Sequence, residues 1–142
     1  MKQQHPQTTW GFRSLSFWLT LLIAVGIIIV GFRFFLDPAG RFRDFGIPMG
    51  NGKQLLYGNV KGIRDIFSGI VFLYLLAIRA RHIVAVLFSF CILIPTVDCI
   101  TNIIANGTGD WHFWIHGGTA FYMAITSVLL FKNSVTSQRD EI

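Results

Sequence analysis

The stretch LSFWLTLLIAVGIIIVGFRFFL, residues 15–36, decides the fold class, because Arg33 is its only charged residue. A helix rises about 1.5 Å per residue, so about 20 apolar residues cross the hydrocarbon core of a membrane. The run is too long for the apolar part of a signal peptide, and no small-residue cleavage site follows it. The sequence therefore predicts a retained transmembrane helix.

Three more apolar runs follow, at residues 55–78, 83–105 and 111–131, each near the length that spans a membrane. Turn-forming or polar residues separate the runs, and Pro38 is expected to end the first helix. We predict an all-α fold: one integral membrane domain over residues 1–142, with four transmembrane helices in an up-down-up-down bundle. Residues 41–53 are expected at the interface as a short amphipathic segment, and the tail from Lys132 as a polar extension.

Composition supports a membrane protein whose main partner is the lipid bilayer. The chain is 53% hydrophobic and 13% charged, whereas soluble domains carry about 25% charged residues. The net charge of +5 comes from small basic groups between the apolar runs. That distribution argues against a nucleic-acid partner.

The basic residues also predict an orientation. Counting Lys and Arg, six lie at the termini and in the loop after the second run, and three lie in the loop after the first run. Basic loops favour the cytoplasmic side, so both termini are expected in the cytoplasm, with the protein in the cell (inner) membrane. Trp10, Trp111 and Trp114 lie near run ends, where interfacial aromatic residues are common.

Polar residues from all four runs are predicted to meet at a similar depth, in the outer half of the membrane. These residues are Arg33, Lys61, Arg64, Asp65, Asp98, Asn102, His112 and His116. On the second helix, Gly58, Gly62, Asp65 and Gly69 share one stripe at about 100° per residue. Small residues spaced in this way let another helix approach closely, so Asp65 is expected to face the interior.

The charged residues of this set are functional candidates, because an ionised carboxylate costs about 3 kcal/mol in the membrane core. Asp65 and Asp98 must pair, accept hydrogen bonds or stay protonated, and Arg33 and Arg64 are the expected partners. Pro95 is expected to kink the third helix and open room beside Asp98. The catalytic candidates are Asp98, His116 and Asp65, and the candidates for binding or positioning a ligand are Arg64, Lys61, Arg33, Asn102 and Thr119.

We expect neither a metal nor a cofactor. His112 and His116 have the i,i+4 spacing of a helical metal pair, and Asp98 would add a carboxylate, but no further ligand lies nearby in the sequence. The glycines of the first loop match no phosphate-binding pattern.

Several short motifs resemble a family of small four-helix membrane proteins of unknown function in bacteria and fungi. The motifs are FRFFLDP at 32–38, FGIP at 45–48, KGIRD at 61–65, PTVD at 95–98 and HGGTA at 116–120. The resemblance covers about Leu15 to Phe131, and the architecture is more distantly similar to DoxX-like proteins. It implies the four-helix fold and a polar set of Arg64, Asp65, Asp98 and His116, and it brings no activity.

The sequence leaves two main functions open. The first is a membrane-embedded pocket for a small lipophilic molecule, with Asp98 and His116 supplying acid–base chemistry for an isomerisation or cyclisation. The second is a structural or accessory subunit, in which the polar set holds helices together and the glycine faces serve homo-oligomer contacts. A third, an ion or solute conduit, is disfavoured because the other half of the membrane segment is almost purely apolar.

Overall fold

The computed structural model of the chain describes residues 10–47 and 52–139, without the side chains of 54 and 133–139. All secondary structure in these residues is helical, with no strand. The helices are α1 (Leu15–Leu36), α2 (Pro38–Asp44), α3 (Gln54–Ala77), α4 (Arg81–Cys91), α5 (Leu93–Asn106) and α6 (His112–Arg139). The predicted all-helical fold is confirmed for this part of the chain.

The helices α1 and α3 pack against each other in antiparallel directions through glycines. Gly69 lies against α1 near Ala24, Gly62 faces the backbone oxygen of Gly31, and Gly58 lies against Phe34 and Pro38. A side chain on Gly62 would place its Cβ 2.8 Å from the Gly31 oxygen. The predicted close-packing role of the Gly58 and Gly62 face is therefore confirmed, and its partner is α1.

The helix α6 runs antiparallel to α4 and α5. Near the start of α4, the ring of His82 lies 6.4 Å from that of Phe131. Further along, the hydroxyls of Ser89 and Ser127 are hydrogen-bonded. In α5, the Cys99 thiol donates to the Phe113 carbonyl at 3.6 Å. Three successive contacts therefore place α6 alongside both helices.

The predicted third helix is interrupted in the structure. The helix α4 ends at Cys91 and α5 begins at Leu93, whereas the sequence predicted one helix over 83–105. Pro95 has no N–H to donate to the carbonyl of Cys91, four residues earlier, so the hydrogen-bond ladder is weakened at this point. The predicted kink thus takes the form of a break at Ile92, three residues before the proline.

One other expectation is corrected. The helix α6 continues to Arg139, beyond the predicted end at Phe131. Trp10 is only 3% exposed, because its ring packs on Phe17 and its Nε1 donates to the Ser16 hydroxyl at 3.0 Å. Trp18, which donates to the Phe12 carbonyl, is exposed at the same end, and Trp111 and Trp114 are also exposed.

Much of the molecular surface is apolar. Within the described residues, three helical stretches are long and apolar enough to cross a membrane: Leu15–Leu36, Arg81–Asn106 and His112–Lys132. Large side chains such as Leu22, Ile29 and Phe121 are exposed on them, as expected for surfaces that face lipid. The helix α3 differs from the three stretches because it carries Lys61, Arg64 and Asp65. The fold is consistent with an integral membrane protein.

Candidate functional site

The centre of the candidate site is an ion pair on one face of α3. The Lys61 Nζ lies 3.2 Å from the Asp65 Oδ2, and the two side chains are 16% and 5% exposed. The i,i+4 spacing places both side chains on the same face of the helix. The glycine stripe holds that face close to α1, so Asp65 is buried in the interior, where the sequence predicted it.

Of the two arginines expected as partners, Arg64 lies at the distance limit of an ion pair with Asp65, and Arg33 makes no ion pair among those of the described residues. Arg64 is 56% exposed, and its Nε is 4.0 Å from the Asp65 Oδ1, the outer limit of an ion pair. Arg33 lies on the exposed surface of α1. The nearest cation to Asp65 is therefore Lys61, because residue 61 is one helical turn from Asp65, whereas residue 64 projects about 100° away.

Lys61 is also held by two aromatic rings. Its Nζ lies 5.3 Å from the ring centre of Phe34 and 5.3 Å from that of Phe45. Distances within about 6 Å allow cation–π attraction, which strengthens when the cation is partly desolvated. Phe34 belongs to α1 and Phe45 follows α2, so Lys61 joins three segments of the chain.

Asp98 and His116 lie beside this pair. Asp98, on α5, is close enough to interact electrostatically with both Asp65 and His116. Both Asp98 and His116 are half-buried. The Asp98 carboxylate makes no hydrogen bond or ion pair with another residue in the described ranges. The His116 ring lies 4.6 Å from that of Phe45, and its Nε2 is a long 3.4 Å from the Phe45 carbonyl.

Phe45 and Gly46 form a strap over the site, which sequence reasoning missed. The Asn106 Nδ2 donates to the Gly46 carbonyl at 2.6 Å. The Asn102 Oδ1 and the His112 side chain occupy the space beside Gly46, so a Cβ at this position would not fit. Gly46 has a φ of +92°, which glycine adopts without strain. The pair Asn102 and Asn106, one turn apart on α5, was the signal that could have indicated this contact.

Asn102 is fully buried, and its two polar ends have different surroundings. Its Nδ2 donates to the carbonyl of Asp98 at 3.0 Å. Its Oδ1 has no hydrogen-bond donor among the described residues, and it fills the space that a Cβ on Gly46 would need. Asn102 therefore fixes the strap beside Asp98 and does not itself face open space.

The remaining candidates lie at the edge of the site. Thr119 is half-buried on α6, and its hydroxyl donates to the carbonyl of Ile115. The His112 Nδ1 lies 2.5 Å from the Asp110 Oδ1. The backbone N–H of His112 also donates to this carboxylate, and these bonds hold the pKa of Asp110 below its usual range. Within the described residues, no group of three His, Cys, Asp or Glu side chains is placed to hold a metal ion.

The half of the protein opposite the site, which the sequence predicted to be almost purely apolar, also contains buried hydroxyl groups. Ser16, Thr20, Thr126 and Ser127 are buried there. Thr20 and Thr126 donate to carbonyls one turn earlier, so their polarity is satisfied within their own helices. Tyr122 donates to the Leu19 carbonyl at 3.0 Å and ties α6 to α1. These groups do not ionise at neutral pH, and they form no chain of charges across the membrane.

A surface groove on α6 lies away from the polar residues. Its lining consists of Ala124, Ile125, Val128 and Leu129. These apolar side chains offer no hydrogen bond to a ligand, so the groove is distinct from the polar site formed by Lys61, Asp65, Asp98 and His116.

The described residues form an all-helical protein that is compatible with the membrane-spanning class, and Asp65 is buried between its apolar helices. Residues 24–130 match the family described as Domain of unknown function (DUF4267). The match covers most of the chain, which therefore belongs to this family. Comparison with curated proteins and with solved structures gives no match.

Proposed function

We propose that the protein is a four-span membrane protein whose polar site binds a small lipophilic molecule. The observation that carries the proposal is the Asp98 carboxylate, which is half-buried without a hydrogen bond or ion pair from the described residues. A group of this kind is costly inside a membrane unless something neutralises or hydrogen-bonds it. A bound molecule with a polar group and an apolar body fits both the carboxylate and the lipid surroundings.

The proposal assigns the four crossings to α1, α3, α4 with α5, and α6, and places α2 at the interface. The antiparallel contacts of α1 with α3, and of α6 with α4 and α5, support an up-down-up-down order. Lys61 and Asp65 neutralise each other, which lowers the cost of crossing for α3. In this proposal both termini lie in the cytoplasm, and the protein resides in the cell (inner) membrane.

The topology has a direct test. A single cysteine replaces Asp110 or Arg79 in a Cys91→Ser/Cys99→Ser background and is labelled with a membrane-impermeant maleimide on intact cells. The expected result is labelling at position 110 and none at 79 until the cells are opened. Labelling of both positions on intact cells would contradict the topology.

We further propose that the site performs acid–base catalysis on the molecule that it binds. Asp98, when protonated, donates a proton to the bound molecule, and His116 accepts a proton from it. An isomerisation balances in this way, because one proton is given and one is taken, and no cofactor is required. Lys61 and Asp65 fix the local charge, and Arg64 is exposed next to Asp65.

The test is native mass spectrometry of the protein purified from membranes, comparing the wild type with Asp98→Asn. Asp110→Asn is the matched control, because it removes a carboxylate outside the polar site. The expected result is a discrete extra mass on the wild type and on Asp110→Asn, and its loss from Asp98→Asn with unchanged circular dichroism. An adduct retained by folded Asp98→Asn, or no adduct on the wild type, would contradict the proposal.

One observation favours a structural or accessory role as the second candidate. The Lys61–Asp65 pair and the glycine contacts between α1 and α3 join helices tightly without any ligand. Under this alternative, Asp98→Asn lowers the yield of folded protein, and neither the wild type nor the variant carries an extra mass.

A further inference from the structure

The end of the protein opposite the polar site carries a second, basic feature. This basic end consists of residues 10–14, the turn at 78–80 between α3 and α4, and the start of α4. Arg13 and Arg79 are exposed there, and Arg81 is half-buried. The acidic residues in the described ranges are Asp37, Asp44, Asp65, Asp98 and Asp110, and none of them lies at this end.

The segment that carries Arg13 and the turn that carries Arg79 are in contact. The guanidinium of Arg79 lies within 3.7 Å of the position that a Cβ on Gly11 would occupy. Gly11 and Arg13 share one turn, which the bond from the Ser14 N–H to the Gly11 carbonyl closes at 2.8 Å. On the other side of the turn at 78–80, the Arg81 Nη2 donates to the Leu129 carbonyl at 3.2 Å. The three cations thus come from two segments that meet at one surface.

Arg79 occupies a backbone position that normally belongs to glycine. Its φ is +55°, the only positive φ of a non-glycine residue in the described chain. The N–H groups of Arg79 and Ala80 donate to the carbonyls of Leu76 and Leu75, a pattern in which the residue after the helix is usually glycine. An arginine here costs folding free energy that glycine would not, and such strain often marks a functional residue.

The neighbouring aromatic residues place the basic end at a membrane interface. Phe12 and Trp18 are exposed, with ring centres 6.1 Å apart, and the Trp18 Nε1 donates to the Phe12 carbonyl. Exposed Trp at a helix end is typical of the headgroup region. Clustered arginines at this depth meet the phosphates of anionic lipids.

We propose that Arg13, Arg79 and Arg81 form a binding site for the headgroup of an anionic phospholipid. Arg13 and Arg79 contact the phosphate, and Arg81 is a positioning residue fixed by Leu129. This inference is independent of the polar site at the other end, and it requires only that the protein lies in a membrane. It explains why arginine rather than glycine occupies position 79.

The test is native mass spectrometry of the delipidated protein with phosphatidylglycerol or phosphatidylcholine of the same acyl chains. The variant is Arg79→Gly, which should fold at least as well as the wild type because it relieves the positive φ. The expected result is that the wild type prefers phosphatidylglycerol. Arg79→Gly should bind it about fivefold more weakly, and Arg13→Gln/Arg79→Gly roughly 30-fold more weakly, at low salt.

The matched control is Arg43→Gln/Lys53→Gln, which removes two exposed cations at the other end and should leave the preference unchanged. Equal binding of the two lipids by the wild type would overturn the proposal, as would equal losses in the control and in Arg13→Gln/Arg79→Gly. Competition by inorganic phosphate without any dependence on acyl chains would assign the site to a free anion and would also overturn it.

Discussion

Replacing Gly62 with alanine should weaken the contact between α1 and α3. The new Cβ would lie 2.8 Å from the backbone oxygen of Gly31 and 2.9 Å from the Phe35 ring. The oxygen belongs to a helix backbone and cannot rotate away, so the two helices must separate by several tenths of an ångström. Such overpacking costs about 1–3 kcal/mol, offset by the gain of about 1 kcal/mol from replacing glycine inside a helix.

A matched control isolates the steric part of this effect. Gly26 lies inside α1, and a Cβ there would meet nothing within 4 Å. Gly26→Ala therefore gains the same helix propensity without the clash, and the two variants should differ by about 1–3 kcal/mol in free energy of unfolding. Equilibrium unfolding in mixed micelles, followed by circular dichroism, measures that difference. If Gly62→Ala proved as stable as Gly26→Ala, the described packing of α1 on α3 would be wrong.

Three further predictions follow from the site. Gly46→Ala should destabilise the protein more than Gly107→Ala. Both glycines have positive φ, but only at Gly46 do Asn102 and His112 fill the space of a Cβ. Equal free energies of unfolding for the two variants would contradict the described packing of the strap. Lys61→Met should lower the free energy of unfolding by about 3 kcal/mol, because it leaves Asp65 without its closest cation. Lys61→Met/Asp65→Leu should recover most of that loss. If the double variant were no more stable than the single one in the same unfolding assay, the described ion pair would be wrong. The pKa of Asp110 should lie below 3.8, because His112 donates hydrogen bonds to its carboxylate. Its contribution to stability is therefore present above pH 3.8 and is lost as the pH falls through the lower folded pKa. A carbon-13 NMR titration measures this pKa, and a value at or above 3.8 would refute the bonds from His112.

Features set by a single helix were predictable from the sequence. The bounds of α1, the end of that helix before Pro38 and the inward direction of Asp65 all follow from local pattern. The glycines at 58 and 62 indicated a close helix contact, although not which helix would make it. These signals are repeated at helical spacing, and the apolar composition of the chain reinforces them.

Features set by contacts between distant segments were not predictable. Arg33 and Arg64 were expected to pair with Asp65, whereas Lys61 is its nearest cation. The rings that surround the Lys61 ammonium, Phe34 and Phe45, come from other elements. The strap at Phe45 and Gly46 depends on Asn106, sixty positions later.

The most direct test of the central claim is an experimental structure of the protein in lipid nanodiscs, at a resolution that shows bound molecules beside Asp98 and His116. The account predicts the Lys61 Nζ near 3.2 Å from the Asp65 Oδ2, with non-protein density that contacts the Asp98 carboxylate. A site closed by the protein's own side chains, with Asp98 paired to one of them and no added density, would contradict ligand binding.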